Sequence, residues 1–139
     1  MTQATGGIRW GRAFLAAIIV EIVLTVIAAP VALISAAPAA ALSLLVPPAS
    51  FLITLLVVVW LFCNSERPIA NGLVTGLISL AIYVVLAFAA SQVDPEQANL
   101  SQALGLPYLA SHLLKIAGGV AGGWWVGWQR AGAADSDSA

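Results

Sequence analysis

The placement of positive charge constrains this chain most. No Lys or Arg lies between Arg12 and Arg67, and none again between Arg67 and Lys115. Apolar stretches of that length, repeated, mark segments that cross a bilayer, because lipid accepts apolar side chains and makes a charge costly. Charged residues make up 8% of the 139 and hydrophobic ones 61%, whereas a soluble domain carries about 25% charged residues. A net charge of −1 gives none of the clustered basic surface that nucleic-acid binding needs. Cys63 is the only cysteine, which excludes an intrachain disulfide, and its place in an apolar run makes it a small packing residue.

Four spans are expected, forming one membrane domain over residues 10–129. Residues 1–9 form a short polar arm. The first helix covers about 11–36; it exceeds the h-region of a cleaved signal peptide, about 7–15 residues, and it carries Glu21 in its interior. Pro47 and Pro48 suit the first turn of a helix, where a missing N–H loses no partner, so the second helix is placed at 47–63. The turn NSERP (64–68) leads into a third helix at about 69–90. Residues 91–105 are the sizeable polar loop, the fourth helix covers about 106–129, and the tail 130–139 is expected to be disordered.

Loop charges orient these spans. Arg9, Arg12, Arg67 and Arg130 fall on one side, while the opposite loops hold only Asp94 and Glu96. Positive residues stay in the cytoplasm, which puts both termini inside. Trp10, Trp60, Trp124, Trp125 and Trp128 fall near the same interface, where amphipathic rings settle.

Few side chains in the spans carry chemistry. Glu21 lies on a stripe with Ala13, Ala17 and Thr25, a face small enough for another helix to approach. A carboxylate costs about 2.5–3.5 kcal/mol at mid-bilayer on insertion scales, so it must face the bundle or water. It either binds protons or fixes helix register. His112 and Lys115 share a face of the fourth helix. Trp10 precedes Glu21 by eleven residues and Lys115 precedes Trp128 by thirteen, so the two charges differ in depth by only about 3 Å at about 1.5 Å per residue. An ion pair inside the bundle follows as one reading; a wetted Lys115 beside His112 is the other. No second His or Cys completes a metal shell with His112, and no cofactor motif is present.

Gly118, Gly119, Gly122, Gly123 and Gly127 give three overlapping small-xxx-small registers, and Gly72 and Gly76 repeat the pattern on the third helix. Such positions let helix backbones touch, either within one chain or between copies. Asn71, Thr75, Ser79 and Tyr83 form a thin polar stripe that lines a cavity or joins helices.

Around Glu21, the segment LAAIIVEIVLT resembles the first helix of small multidrug resistance transporters. That likeness implies an embedded Glu exchanging protons for cationic drugs in an antiparallel dimer of four-helix subunits. It covers about a dozen residues. Lys115 would oppose a cationic substrate, the charge bias here is consistent where that family's is weak, and the second and third helices do not match. The layout is also similar to that of many small four-helix membrane proteins of bacteria, which implies the bacterial cytoplasmic membrane.

The expected fold is therefore all-α, a four-helix membrane bundle in up-down order. The expected role is non-enzymatic, since one His and one Cys assemble no nucleophile–base pair. The leading expectation is an accessory subunit or homo-oligomer acting through glycine-rich packing in the bilayer. The alternative is a proton-coupled or small-solute transporter using Glu21.

Overall fold

Backbone N–H and C=O groups in lipid must be satisfied within their own segment, which favours helix throughout an apolar chain of this kind. The computed structural model describes residues 7–93 and 105–136, and the regular structure among them is helical. Helix α1 is Trp10–Ile34, α2 is Pro38–Phe62, α3 is Pro68–Val93 and α4 is Leu106–Ser136. The first three have 25, 25 and 26 residues and are long and apolar enough to cross a membrane, since a core of about 30 Å needs about 20 residues. That marks the chain as a multi-pass membrane protein. α4 is more polar, carrying His112, Lys115 and its run of glycines.

Two boundaries differ from expectation. α2 begins at Pro38 rather than 47, and Pro47 and Pro48 lie inside it. Pro38 occupies the first turn, and the interior prolines remove only the bonds to the Ser43 and Leu44 carbonyls, a local loss that packed membrane helices tolerate. α4 continues to Ser136, through much of the tail expected to be disordered; its Ala-rich stretch propagates helix readily. Cys63 caps α2 and is exposed rather than packed. The loop residues Asp94 and Glu96 lie outside the described residues.

Tight turns connect the first three helices. Ser35 Oγ accepts the Ala37 N–H at 3.2 Å between α1 and α2. Between α2 and α3, the Ser65 N–H bonds the Phe62 carbonyl at 2.9 Å, and Ser65 Oγ accepts the Arg67 N–H at 3.3 Å.

α4 packs on α2 and α3, and α1 packs on the same two helices. α1 and α4 therefore face each other across the assembly. Small and polar residues are prominent in the interior: Ala13, Ala16, Ala17, Thr54, Asn71, Thr75 and Ser79 are fully buried, alongside Val20, Val58 and Phe62. Large apolar side chains such as Leu33, Leu44, Leu56 and Val85 point outward. A water-soluble protein would not expose so much contiguous apolar surface; for helices in lipid this arrangement is the expected one.

Glycines set the close approaches. A Cβ built on Gly72 would run into the Gly119 carbonyl oxygen, and one on Gly119 into that of Gly72. Gly118 lies against the Phe51 backbone and Gly123 against Pro68 and Ile69. A Cβ on Gly122 would lie 2.7 Å from the Leu55 oxygen, and one on Gly76 would lie 2.7 Å from the Ile116 Cα. Gly127 departs from the expected packing set: a Cβ there would meet only Pro68 Cγ, at an ordinary 3.9 Å. All six close approaches are within the chain, α3 on α4 and α2 on α4.

Candidate functional site

Arginines gather at one end. The Arg12 guanidinium donates to the Leu61 carbonyl at 3.4 Å and that of Arg9 to the Asn64 carbonyl at 3.2 Å. Arg130 bonds the Ser65 carbonyl. The starts of α1 and α3, the end of α4 and the α2–α3 turn therefore meet there. Asn71 organises the layer beneath. Its Oδ1 accepts the Arg9 backbone N–H at 2.8 Å, and its Nδ2 donates to Ser65 Oγ at 2.6 Å and to the Arg67 carbonyl at 2.9 Å. Trp10, Trp60, Trp124, Trp125 and Trp128 are exposed on the helix segments nearest this end.

From Asn71 the polar stripe of α3 runs inward. Thr75 Oγ1 donates to the Asn71 carbonyl at 2.9 Å, which satisfies a hydroxyl that apolar packing would otherwise leave bare. One turn further, Ser79 Oγ donates to Glu21 Oε1. The next turn presents Tyr83 to a cavity. The stripe thus serves as glue at Asn71, Thr75 and Ser79, and as lining at Tyr83.

Glu21 and Lys115 form an ion pair, Nζ to Oε1 at 2.6 Å. The same carboxylate oxygen takes the Ser79 bond, and among the described residues Oε2 takes none. The Lys115 side chain is 4% exposed and that of Glu21 20%, so the ammonium is the enclosed partner. Of the two readings open to Lys115, the enclosed pair is the one found. A lysine this enclosed is tolerated because the carboxylate meets it directly; without that partner the uncompensated charge would cost several kcal/mol.

The pair forms part of the wall of a cavity of about 750 Å³. All four helices line it: Leu24 and Ala28 from α1, Leu42, Ser43 and Val46 from α2, Tyr83 and Leu86 from α3, Tyr108, Ser111 and His112 from α4. These come from the second halves of α1 and α3 and the first halves of α2 and α4, so the cavity lies toward the end remote from the arginines. Ser43 comes from the helical turns before Pro47, which the later helix start would have left outside the spans.

Aromatic rings cluster on one wall. Tyr83 lies 4.2 Å from His112, centroid to centroid, tilted by 45°. It is nearly parallel to Tyr108 at 6.1 Å. His112 is 4% exposed and its Nδ1 has no hydrogen-bond partner among the described residues. Tyr108 and Ser111 were not singled out from sequence. The signal was there: Tyr108, His112 and Lys115 recur at four and three residues, one face of a helix.

Compared with family models, curated proteins and solved structures, the chain matches none. The likeness of α1 to small multidrug resistance transporters therefore rests on the dozen residues around Glu21. Fold and site define a class, a multi-pass helical membrane protein with an ion pair and a cavity inside it, and any reading of its role starts from that geometry.

Proposed function

We propose that this protein is a four-helix membrane bundle in up-down order, both termini cytoplasmic, which holds a small solute in a cavity beside the Glu21–Lys115 pair. The role is binding or passage of the solute rather than chemistry on it. The observation that carries this reading is the cavity itself: about 750 Å³, with a mostly apolar wall and a few convergent polar groups. Those are the size and lining of a small-molecule site, about 300–1,000 Å³ with few, placed polar contacts.

Two observations weigh on the other readings. The six tightly placed glycines lie against backbone of the same chain, which favours a role in closing the bundle over one in joining a second copy or a larger complex. The ion pair bears on proton coupling: a carboxylate held by an ammonium at 2.6 Å and by Ser79 has its charge matched in place. Glu21 therefore acts here as a fixed polar wall, with the solute, not a proton, as the cargo. The arginine end and its tryptophans support the orientation, with the cavity toward the non-cytoplasmic half.

The test is native mass spectrometry of the protein released from mild detergent. A bound mass of solute size on the wild type is expected, retained in Leu33→Trp, which changes an outward-facing position, and lost in Ala28→Trp, which fills the cavity. A stoichiometric larger membrane complex with an empty cavity would overturn the proposal in favour of an accessory subunit.

A further inference from the structure

We propose that the start of α1 and the end of α2, where Arg9 and Arg12 meet the last carbonyls of α2, bind the headgroup of an anionic phospholipid.

The end of α2 gathers the charge. The last C=O groups of a helix have no partner within it, and together they carry about half a negative charge. The Arg12 guanidinium takes the Leu61 carbonyl at 3.4 Å, and that of Arg9 takes the Asn64 carbonyl at 3.2 Å. Leu61 and Asn64 stand three residues apart, as do Arg9 and Arg12. Two guanidinium groups are therefore held side by side within about one helical turn, and both side chains are exposed.

Capping fixes the two arginines but does not neutralise them. Carbonyls are uncharged, so two full positive charges face about half a negative one. Among the described residues neither arginine has a carboxylate partner; Glu66, exposed in the adjoining turn, pairs with neither. Arg130 on the Ser65 carbonyl and Arg67 in the turn raise the positive field at this end. Each guanidinium also has N–H donors beyond the one spent on α2. A phosphate diester supplies the missing charge, and its oxygens suit the planar guanidinium fork.

Depth selects a lipid as the source of that phosphate. Trp10 adjoins Arg9 on α1 and Trp60 adjoins Leu61 on α2, and both rings are exposed. Such rings settle at headgroup level. One turn deeper on the same two faces, Phe14 and Leu56 are exposed as well, which gives acyl chains apolar surface below the guanidinium groups. A zwitterionic headgroup would bring its own cation to the arginines, whereas an anionic one brings only the charge they lack.

The test is native mass spectrometry of the full chain in detergent with equimolar phosphatidylglycerol and phosphatidylcholine of the same acyl chains. The wild type should retain phosphatidylglycerol at least about tenfold in preference. Arg9→Gln with Arg12→Gln should remove that preference, while Arg130→Gln should keep most of it. Arg9→Lys with Arg12→Lys retains charge without the planar fork and should weaken the preference, which gives a reading even where the glutamine variant does not fold. Equal retention of the two lipids, retention of neither, or a lysine variant with undiminished preference overturns the proposal. A preference lost as fully in Arg130→Gln overturns the placement in favour of a diffuse field. Sodium phosphate should displace the lipid no better than sodium chloride of equal ionic strength. Greater displacement overturns the lipid in favour of free phosphate.

Discussion

Glu21 and Lys115 meet at 2.6 Å although α1 and α4, which carry them, pack on α2 and α3 rather than on each other. The pair spans the interior from opposite sides. This works because the residues between are small: Ala17 on the Glu21 stripe is fully buried, and Ser79 bonds the carboxylate from α3. A long lysine stem lying along apolar surface supplies the remaining reach.

The glycine contacts predict a sharp positional contrast. Gly72→Ala and Gly119→Ala should each destabilise the protein by about 1–3 kcal/mol, because the added carbon meets a backbone oxygen that cannot rotate away. Gly127→Ala should be neutral or stabilising by up to about 1 kcal/mol, since alanine favours helix and the site has room. Thermal unfolding in detergent distinguishes the two groups. Equal effects at all three positions would contradict the packing described.

Asn71 predicts a second effect, at the arginine end. Its amide bonds the Arg9 N–H, Ser65 Oγ and the Arg67 carbonyl. Asn71→Leu should cost about 1–3 kcal/mol by stripping buried polar groups of partners. Amide hydrogen exchange should then quicken at the start of α1 and in the 63–67 turn, with the middle of α4 unchanged. Uniform exchange across all helices would contradict a local clamp.

Much of this was legible in the sequence, for physical reasons. Unbroken apolar runs are the strongest signal a chain can carry, and they gave the four helices of the described residues with most ends within a few residues. Matching Glu21 and Lys115 by depth worked because helix rise is constant, but depth is one-dimensional and left open which helices are neighbours. Pro47 and Pro48 misplaced the start of α2, because a proline reads as a boundary in sequence and is tolerated inside a membrane helix. The glycine registers pointed to close contact without saying with what, and only the fold shows six of the seven, all but Gly127, set against backbone of the same chain. The cavity was not legible at all. It arises where four half-helices fail to fill the space between them, which no single helix records.

Topology gives a third prediction. Reporter fusions at Ala139 and near Gln97 should lie on opposite sides of the membrane, with Ala139 in the cytoplasm, because Arg9, Arg12, Arg67 and Arg130 all belong to one end. Both reporters in one compartment would contradict four crossings.

The cross-bundle ion pair is the central claim, and a double-mutant cycle on unfolding free energy tests it most directly. Glu21→Gln alone strands a buried ammonium and should cost about 3–5 kcal/mol. Lys115→Met alone should cost less, since Glu21 is the partner open to the cavity and keeps its bond from Ser79. The double variant should recover part of the loss, with a coupling energy of at least about 1 kcal/mol between the two positions. Additive effects, with no coupling energy, would contradict the pair and with it the account of the polar interior.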